Sequence, residues 1–140
     1  MSRIETCVTE LVDACHGASF TAGWWTHAKT GLDLREIVRN PQTDAFNNLL
    51  AGALVAQKLC LTHSELSEDM EGHRKGKMDD HLPQFPMITV ELADAIIRIC
   101  DLAGAMGLDL PGALAAKLAY NAQRADHKPE ARAAEGGKAY

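Results

Sequence analysis

The sequence predicts an all-α fold, and three observations lead to that prediction. Apolar residues recur at helical spacing in four long segments, whereas no segment alternates with the period of a strand. Ala and Leu are abundant and aromatic residues make up only 5% of the chain, which favours helix over sheet. At 140 residues the chain is long enough for one domain with its own core. We expect a bundle of four to five helices over residues 1–125, followed by a partly mobile tail over residues 126–140.

The first predicted helix covers about residues 2–17. "SRIE" at its start has the spacing of a capping box, in which a hydroxyl accepts from a free amide and a glutamate reaches back. Apolar side chains then recur at helical spacing as far as Gly17. Between residues 18 and 42 that periodicity lapses, so we expect an ordered loop with short turns there.

Three longer helices are predicted after this loop. The second runs from about residue 43 to residue 75, with Gly76 as its stop. The prolines of "GKMDDHLPQFP" then interrupt the pattern before a third helix over residues 87–106. Asp109 is a suitable N-cap for a fourth helix, which reaches about Arg124.

Charge and cysteine usage limit the class of partner and the compartment. A net charge of −5 argues against general affinity for nucleic acid or for an anionic membrane. The four cysteines lack both CxxC pairing and zinc-site spacing, as expected of a reduced intracellular protein. The N-terminal segment carries acids within its apolar pattern, which argues against a signal peptide and a membrane span. We therefore expect a cytoplasmic protein whose partners include neither a nucleic-acid polymer nor a membrane.

Carboxylates interrupt the apolar faces of the second and third predicted helices. The apolar stripe of the second helix begins at Phe46, and its continuation places Glu68 in its middle and Glu65 at its edge. In the third helix, "ELAD" places Glu91 and Asp94 at the same spacing of three residues, which puts both on one face. Four carboxylates between two buried helices repel one another and are costly to desolvate, so they need positive charge.

A hard divalent cation meets that need. Mg²⁺ and Mn²⁺ take oxygen ligands from carboxylates, often together with the phosphates of a substrate. One such pair alone is more often a solvated surface, but two pairs within apolar stripes predict a metal clamp for a phosphorylated ligand. A di-iron bundle is less favoured, because neither pair ends in histidine. Glu71 lies on the same stripe without a partner in the pattern, and we leave it out of the ligand set.

The same residues carry a resemblance to a known family. "HSELSED", "MDDHLP", "VELADAIIRICDLAGAMGLDL" and "KLAYNAQRADHKPE" resemble the MazG-like, all-α nucleoside triphosphate pyrophosphohydrolases, in particular the short single-domain proteins of phages and bacteria. That family is characterised by ExxE followed by ExxD. The four acids Glu65, Glu68, Glu91 and Asp94 satisfy the pattern, with 22 residues between its halves. The resemblance covers about residues 23–130.

The resemblance implies an activity and a role for the acids. Family members hydrolyse (d)NTP to (d)NMP and pyrophosphate with Mg²⁺ or Mn²⁺, and they assemble as homodimers or homotetramers. The four acids would hold the metals, with Glu65 or Glu68 also serving as the general base. Some relatives carry a further acid where this chain has Ser64, which leaves the identity of the base open. Some short phage relatives act on dGTP, so (d)GTP is a candidate substrate, used in the host cytoplasm if the protein is phage-encoded.

The resemblance also implies phosphate contacts. Lys117 and Asn121 match a lysine–asparagine pattern that contacts phosphate in the family, and Arg124 lies one turn further along. Arg74 and Lys77 close the second helix and are further candidates, although favourable interaction with the helix dipole explains their position almost as well. For each of these cations the alternative is an ordinary solvated face.

Two other features of the family pattern are present. Trp24 and Trp25 are candidates to stack on the nucleobase, and the alternative is that one or both pack under the loop or in a subunit contact. "DDHLP" at residues 79–83 matches a family loop, but its spacing does not separate structural caps from a role at the site.

Two other functions stay open. Phosphoribosyl-ATP pyrophosphohydrolases share this architecture, although the Trp-Trp loop and "MDDHLP" fit them poorly. A non-catalytic helical module for oligomerisation or partner binding explains equally well the two apolar faces of the third helix and the small residues of "AGAMG".

Overall fold

The computed structural model describes residues 1–134, apart from the side chain of Thr43, and this part of the chain is helical. Its six α-helices are α1 (Arg3–Thr21), α2 (Leu34–Arg39), α3 (Ala45–Lys75), α4 (Met87–Met106), α5 (Leu110–Gln123) and α6 (Pro129–Ala133). Short 3₁₀ turns lie at Pro41–Thr43 and Ala125–His127. Residues 1–134 contain two isolated β-bridges but no strand, so the predicted all-α class is confirmed.

Local sequence explains where the long helices begin and end. Asp44 accepts from the backbone N–H of Asn47 at 2.8 Å and caps α3, and Asp109 caps α5 in the same way. Gly76 and Gly107 follow α3 and α4 with φ of 59° and 67°, a left-handed conformation that glycine adopts without strain. The predicted bounds of α3, α4 and α5 therefore agree with the structure to within two residues.

The segment before α3 contains more helix than predicted. α1 continues through Gly17 to Thr21, because one exposed glycine costs a helix only about 1 kcal/mol. Residues 34–39, which we expected in a loop, form α2, and Asp33 caps it by accepting from the backbone N–H of Arg35 at 2.9 Å. A helix of fewer than two turns is too short to produce a recognisable apolar period.

The chain forms two compact units, one of residues 10–108 and the other of residues 1–9 together with the chain from Asp109 onward. The prediction of one domain over residues 1–125 stays a prediction. Part of the tail predicted to be mobile forms α6, and residues 135–140 lie outside the described part of the chain.

The larger unit is built on the packing of α3 against α4, with α2 in contact with both helices. Its core contains the buried side chains Trp25, Val38, Leu102 and Ala105. Partly buried residues from α2, α3 and α4 surround them, namely Leu34, Leu54, Val55 and Met106. The loop that contains Trp25 is therefore part of the core.

Candidate metal centre and adjoining cavity

Three carboxylates meet where α3 packs against α4. Glu65 of α3 and Glu91 and Asp94 of α4 each place one oxygen atom within 4.8 Å of the other two. Glu65 and Glu91 are buried and Asp94 is half-buried. The spacing of three residues puts Glu91 and Asp94 on one face of α4, and the packing of the helices adds Glu65.

Glu68 does not occupy the position that we predicted. We expected it in the middle of the buried stripe and Glu65 at the edge, whereas Glu65 is buried and Glu68 is exposed. The buried residues of α3 are Ala51, Glu65 and Gly72, which are separated by multiples of seven residues. The predicted stripe began instead at Phe46, whose side chain is 71% exposed. The prediction followed large apolar residues, but the buried residues of α3 are small or charged, and of its large apolar residues Leu54 and Val55 are only partly buried against the core.

Glu68 nevertheless lies near the three acids. Burial, the negative charges of Glu68, Glu65 and Asp94, and a hydrogen bond with Glu65 together raise the pKa of Glu91 to about 7, and burial contributes most. Burial also raises the pKa of Asp94, with Glu65 adding to the effect and the positive charge of Arg98 opposing it. The metal-free site therefore resists full ionisation, as expected where carboxylates are held together away from water.

The donor set fits Mg²⁺ or Mn²⁺. These ions prefer carboxylate oxygens, and the group formed by Glu65, Glu91 and Asp94 offers three of them, two from buried side chains. A divalent charge among these oxygens would offset the mutual repulsion that raises the pKa values of Glu91 and Asp94. Glu68 is exposed, its charge acts on Glu91, and it would add a fourth carboxylate.

Arg98 is a partner of the acids that the sequence analysis missed. It lies one turn after Asp94 on α4, and its Nε donates a hydrogen bond to Oε1 of Glu65. The spacing of Glu91, Asp94, Arg98 and Asp101 along α4 follows a three-four-three pattern, which places all four on one face. The sequence alone shows that these four residues share one face of α4. It does not show which residues of other elements they contact.

A third buried acid, Asp101, binds side chains of α1, of α3 and of the segment between α1 and α2. Its Oδ1 accepts from Nε1 of Trp25 at 2.7 Å and lies 2.9 Å from Nδ1 of His16. The Nζ of Lys58 lies 3.7 Å from Oδ2 and 4.3 Å from the centroid of the Trp25 ring. Sequence reasoning missed this network, whose members are separated by as many as 85 positions along the chain.

The two adjacent tryptophans have opposite environments. The Trp25 side chain is 0% exposed and its N–H is bound to Asp101, so in this structure neither face of the ring is open to a nucleobase. Its position matches the alternative that we considered, in which the ring packs under the loop. Trp24 is 70% exposed, so the candidate for base stacking is Trp24 alone.

A cavity of about 330 Å³ adjoins the acids. Trp24 contributes an aromatic ring, Lys58 and Arg98 contribute cations, and Asp94 connects the cavity to the three-carboxylate group. The remaining lining residues are Ser19, Leu61, Ile97 and Asp101. This combination suits a ligand with a flat apolar part and a negatively charged part.

The phosphate-binding residues predicted at the end of the second helix, Arg74 and Lys77, are not among the residues that line this cavity. Arg74 lines a separate cavity with Ser67, Met70, Glu71 and Lys75. Lys77 is exposed, while its backbone joins α3 to the start of α4: its N–H donates to the carbonyl of Gly72 and its carbonyl accepts from Met87. The backbone of Lys77 thus has a structural role, and phosphate binding by either side chain stays a prediction.

The other predicted phosphate-binding residues belong to the second unit. The Nζ of Lys117 lies 5.0 Å from the centroid of the Tyr120 ring, and Arg124 forms a two-bond ion pair with Asp126 at 2.6 and 2.9 Å. Oδ1 of Asn121 is buried and has no hydrogen-bond partner among residues 1–134. Phosphate binding by Lys117, Asn121 and Arg124 stays a prediction.

The "DDHLP" loop is held by a side-chain cap. Oδ1 of Asp79 accepts from the backbone N–H groups of His81 and Leu82 at 2.9 and 2.6 Å. The charge of Asp79 also raises the pKa of Asp94, so this loop lies near the carboxylate group. Asp79 therefore has a capping role, and its charge acts on the site as well.

Comparisons with protein-family models, curated proteins and solved structures found no match for this chain. Among the described helices, none combines the length and the apolar character that crossing a membrane requires. The resemblance to MazG-like proteins stays a prediction.

Proposed function

We propose that this protein is a metal-dependent hydrolase that converts (d)NTP to (d)NMP and pyrophosphate. The observation that carries the proposal is the meeting of Glu65, Glu91 and Asp94 beside a cavity that contains Trp24 and two cations. Buried carboxylates in contact with one another are costly without a cation, and a neighbouring space for an aromatic and anionic ligand gives that cation a substrate. The ExxE and ExxD spacing supports the same activity.

The four acids have two different roles, metal binding and general-base catalysis. Glu65, Glu91 and Asp94 would hold Mg²⁺ or Mn²⁺, which when bound supplies positive charge against the developing charge on the phosphoryl oxygens. Glu68 acts as the general base, because it is exposed while the metal would occupy Glu65. A water oxygen forms a bond to the α-phosphorus as its proton passes to Glu68, and the bond to the pyrophosphate oxygen breaks.

The cavity contains groups suited to both the nucleobase and the phosphates of the substrate. The exposed ring of Trp24 stacks on the nucleobase, and the cations that line the cavity face the phosphates. We keep (d)GTP as the candidate substrate and the cytoplasm as the compartment. The buried acids favour this enzyme over a non-catalytic helical module.

We propose in addition that the chain forms a homodimer or homotetramer. Large apolar side chains on α3 and α4 are exposed in the single chain, among them Phe46, Leu49, Leu66, Met70, Leu92, Ile96 and Ile99. Exposed apolar side chains in this number are unfavourable in water and are typical of a subunit contact. A second copy of the same chain would cover it.

A screen of the eight common (d)NTPs with Mg²⁺ or Mn²⁺ tests the activity through release of pyrophosphate. We expect at least one nucleotide to be cleaved, and we expect Glu91→Gln to lower the rate at least about 100-fold. Glu71→Gln is the matched control, because it removes the same charge from a residue that pairs with Lys75 outside the carboxylate group. Failure of every nucleotide with both ions would overturn the proposal.

A further inference from the structure

One carboxylate of the candidate metal centre already has a cation partner within the chain. The buried Glu65 accepts a charge-assisted hydrogen bond from Nε of Arg98, and the same carboxylate belongs to the three-acid group. The Glu65 side chain is 7% exposed, whereas that of Arg98 is 39% exposed. Arg98 therefore approaches Glu65 from the open side, and it also lines the cavity that contains Trp24.

We propose that Arg98 neutralises Glu65 in the metal-free protein and turns to the phosphates of the ligand when a divalent cation replaces it. The identity of that ligand rests on the proposed function. Arg98 is thus both a competitor of the metal and a phosphate-binding residue. No position in the ExxE and ExxD pattern specifies such a residue.

The exchange follows from the cost of leaving Glu65 without a positive partner. A buried carboxylate that loses its cation is strongly destabilising, so Arg98 stabilises the site before the metal arrives. A divalent cation among Glu65, Glu91 and Asp94 would repel the guanidinium beside it, because the two positive charges would share one carboxylate. The exposed part of the Arg98 side chain leaves it free to move away.

The cavity offers a destination for the displaced guanidinium. Arg98 already lines this space, and a guanidinium binds phosphate oxygens through two parallel hydrogen bonds. Lys58 is less suited to the role, because it is held between Asp101 and the face of the Trp25 ring. Its side chain is also more deeply buried than that of Arg98.

Two binding measurements on the full chain test the proposal. In the first, Mn²⁺ alone is titrated and the free ion is followed by electron paramagnetic resonance. We expect Arg98→Gln to tighten Mn²⁺ binding on the order of tenfold, because the competitor is gone. In the second, the Mn²⁺ complex of inorganic tripolyphosphate is titrated at saturating Mn²⁺. We expect the same variant to weaken its binding on the order of tenfold.

Arg35→Gln is the matched control. Arg35 forms an ion pair with Asp33 and lies over the Phe20 ring, so the variant removes one arginine and one ion pair away from the carboxylate group. We expect it to leave both affinities within about twofold of the wild type. Arg98→Lys keeps the charge without the paired donors and is expected to fall between wild type and Arg98→Gln in both titrations. It also provides a measurement if Arg98→Gln fails to fold, which circular dichroism reports.

The inference and the proposed activity fail in different ways. If the wild type releases pyrophosphate but Arg98→Gln leaves Mn²⁺ affinity unchanged or weaker, the inference is overturned and the activity stands. Unchanged binding of tripolyphosphate by Arg98→Gln also overturns it, as does a wild type that binds no Mn²⁺. If both affinities change as expected while no (d)NTP is cleaved, the role of Arg98 stands and the proposed activity fails.

Discussion

Gly72 of α3 and Met87 of α4 lie so close together that a Cβ atom added to the glycine would lie 2.8 Å from Cγ of Met87. Gly72 follows Glu68 by four residues and Met87 precedes Glu91 by four, so this contact lies one helical turn from the acids. The absence of a side chain at residue 72 therefore allows the approach of the two helices next to the carboxylate group.

Gly72→Ala tests whether this close approach matters. We expect the added methyl group to displace Met87 and to lower the free energy of unfolding by about 1–3 kcal/mol, as overpacking does in cores. We also expect weaker Mn²⁺ binding, because α4 carries two of the three acids. Urea denaturation and Mn²⁺ titration measure the two effects.

Gly52→Ala provides the control within the same helix. An added Cβ at residue 52 meets no atom within 4 Å, so the higher helix propensity of alanine should stabilise the protein by up to about 1 kcal/mol. Equal behaviour of the two variants would show that the contact at Gly72 does not limit the packing.

Glu91 makes the stability of the metal-free protein dependent on pH. Its pKa in the folded protein is about 7, above the ordinary 4.5, so the folded state binds this proton more tightly than the unfolded state. The resulting stabilisation is fully present below about pH 4.5 and is lost as the pH rises through 7. The glutamine of Glu91→Gln cannot ionise. We therefore expect the free energy of unfolding of this variant to exceed that of the wild type by about 1–3 kcal/mol at pH 8 and by much less at pH 5.

Urea denaturation in the presence of a chelator measures this difference. Glu71→Gln serves again as control, because Glu71 is exposed and its pKa is lowered by Lys75, so its replacement should bring no gain at pH 8. A Glu91→Gln variant no more stable than the wild type at pH 8 would contradict the assigned environment of Glu91.

Asp101 holds the buried network together, so its removal should be among the most destabilising changes in the larger unit. Asp101→Ala leaves the N–H of Trp25 and the ammonium group of Lys58 without their acceptor. We expect a loss of about 3–5 kcal/mol in the free energy of unfolding, measured by urea denaturation. Asp13→Ala on the exposed face of α1 is expected to change stability by less than about 0.5 kcal/mol. Similar losses in the two variants would contradict the central role of Asp101.

Replacement of Trp24 is expected to weaken substrate binding without changing stability. Because its ring is 70% exposed, we expect Trp24→Ala to leave the melting temperature nearly unchanged. Loss of a base-stacking partner should raise KM for the preferred nucleotide about 5- to 100-fold, whereas Trp24→Phe should retain most of the affinity. Steady-state kinetics and thermal melting provide the two readouts, and an unaltered KM for Trp24→Ala would remove the ring from the substrate site.

Interactions between residues close in sequence determined where the long helices begin and end. The caps Asp44 and Asp109 and the stops Gly76 and Gly107 act on neighbouring backbone groups, so the bounds of the long helices from α3 onward were predictable. The pairing of Glu91 with Asp94 was predictable for the same reason, since residues three apart on a helix share a face.

Only the tertiary structure decided which acids and aromatic rings are buried. The most deeply buried positions of α3 include Ala51, Lys58, Glu65 and Gly72, which recur every seven residues. None of them is a large apolar residue, so an apolar stripe does not reveal their burial. The partner of Arg98 lies 33 positions away in sequence, and the partners of Asp101 lie 43 or more positions away. Helical spacing determines which residues share a face. The packing of one helix on another determines which face loses contact with water, and with it which charges need a partner.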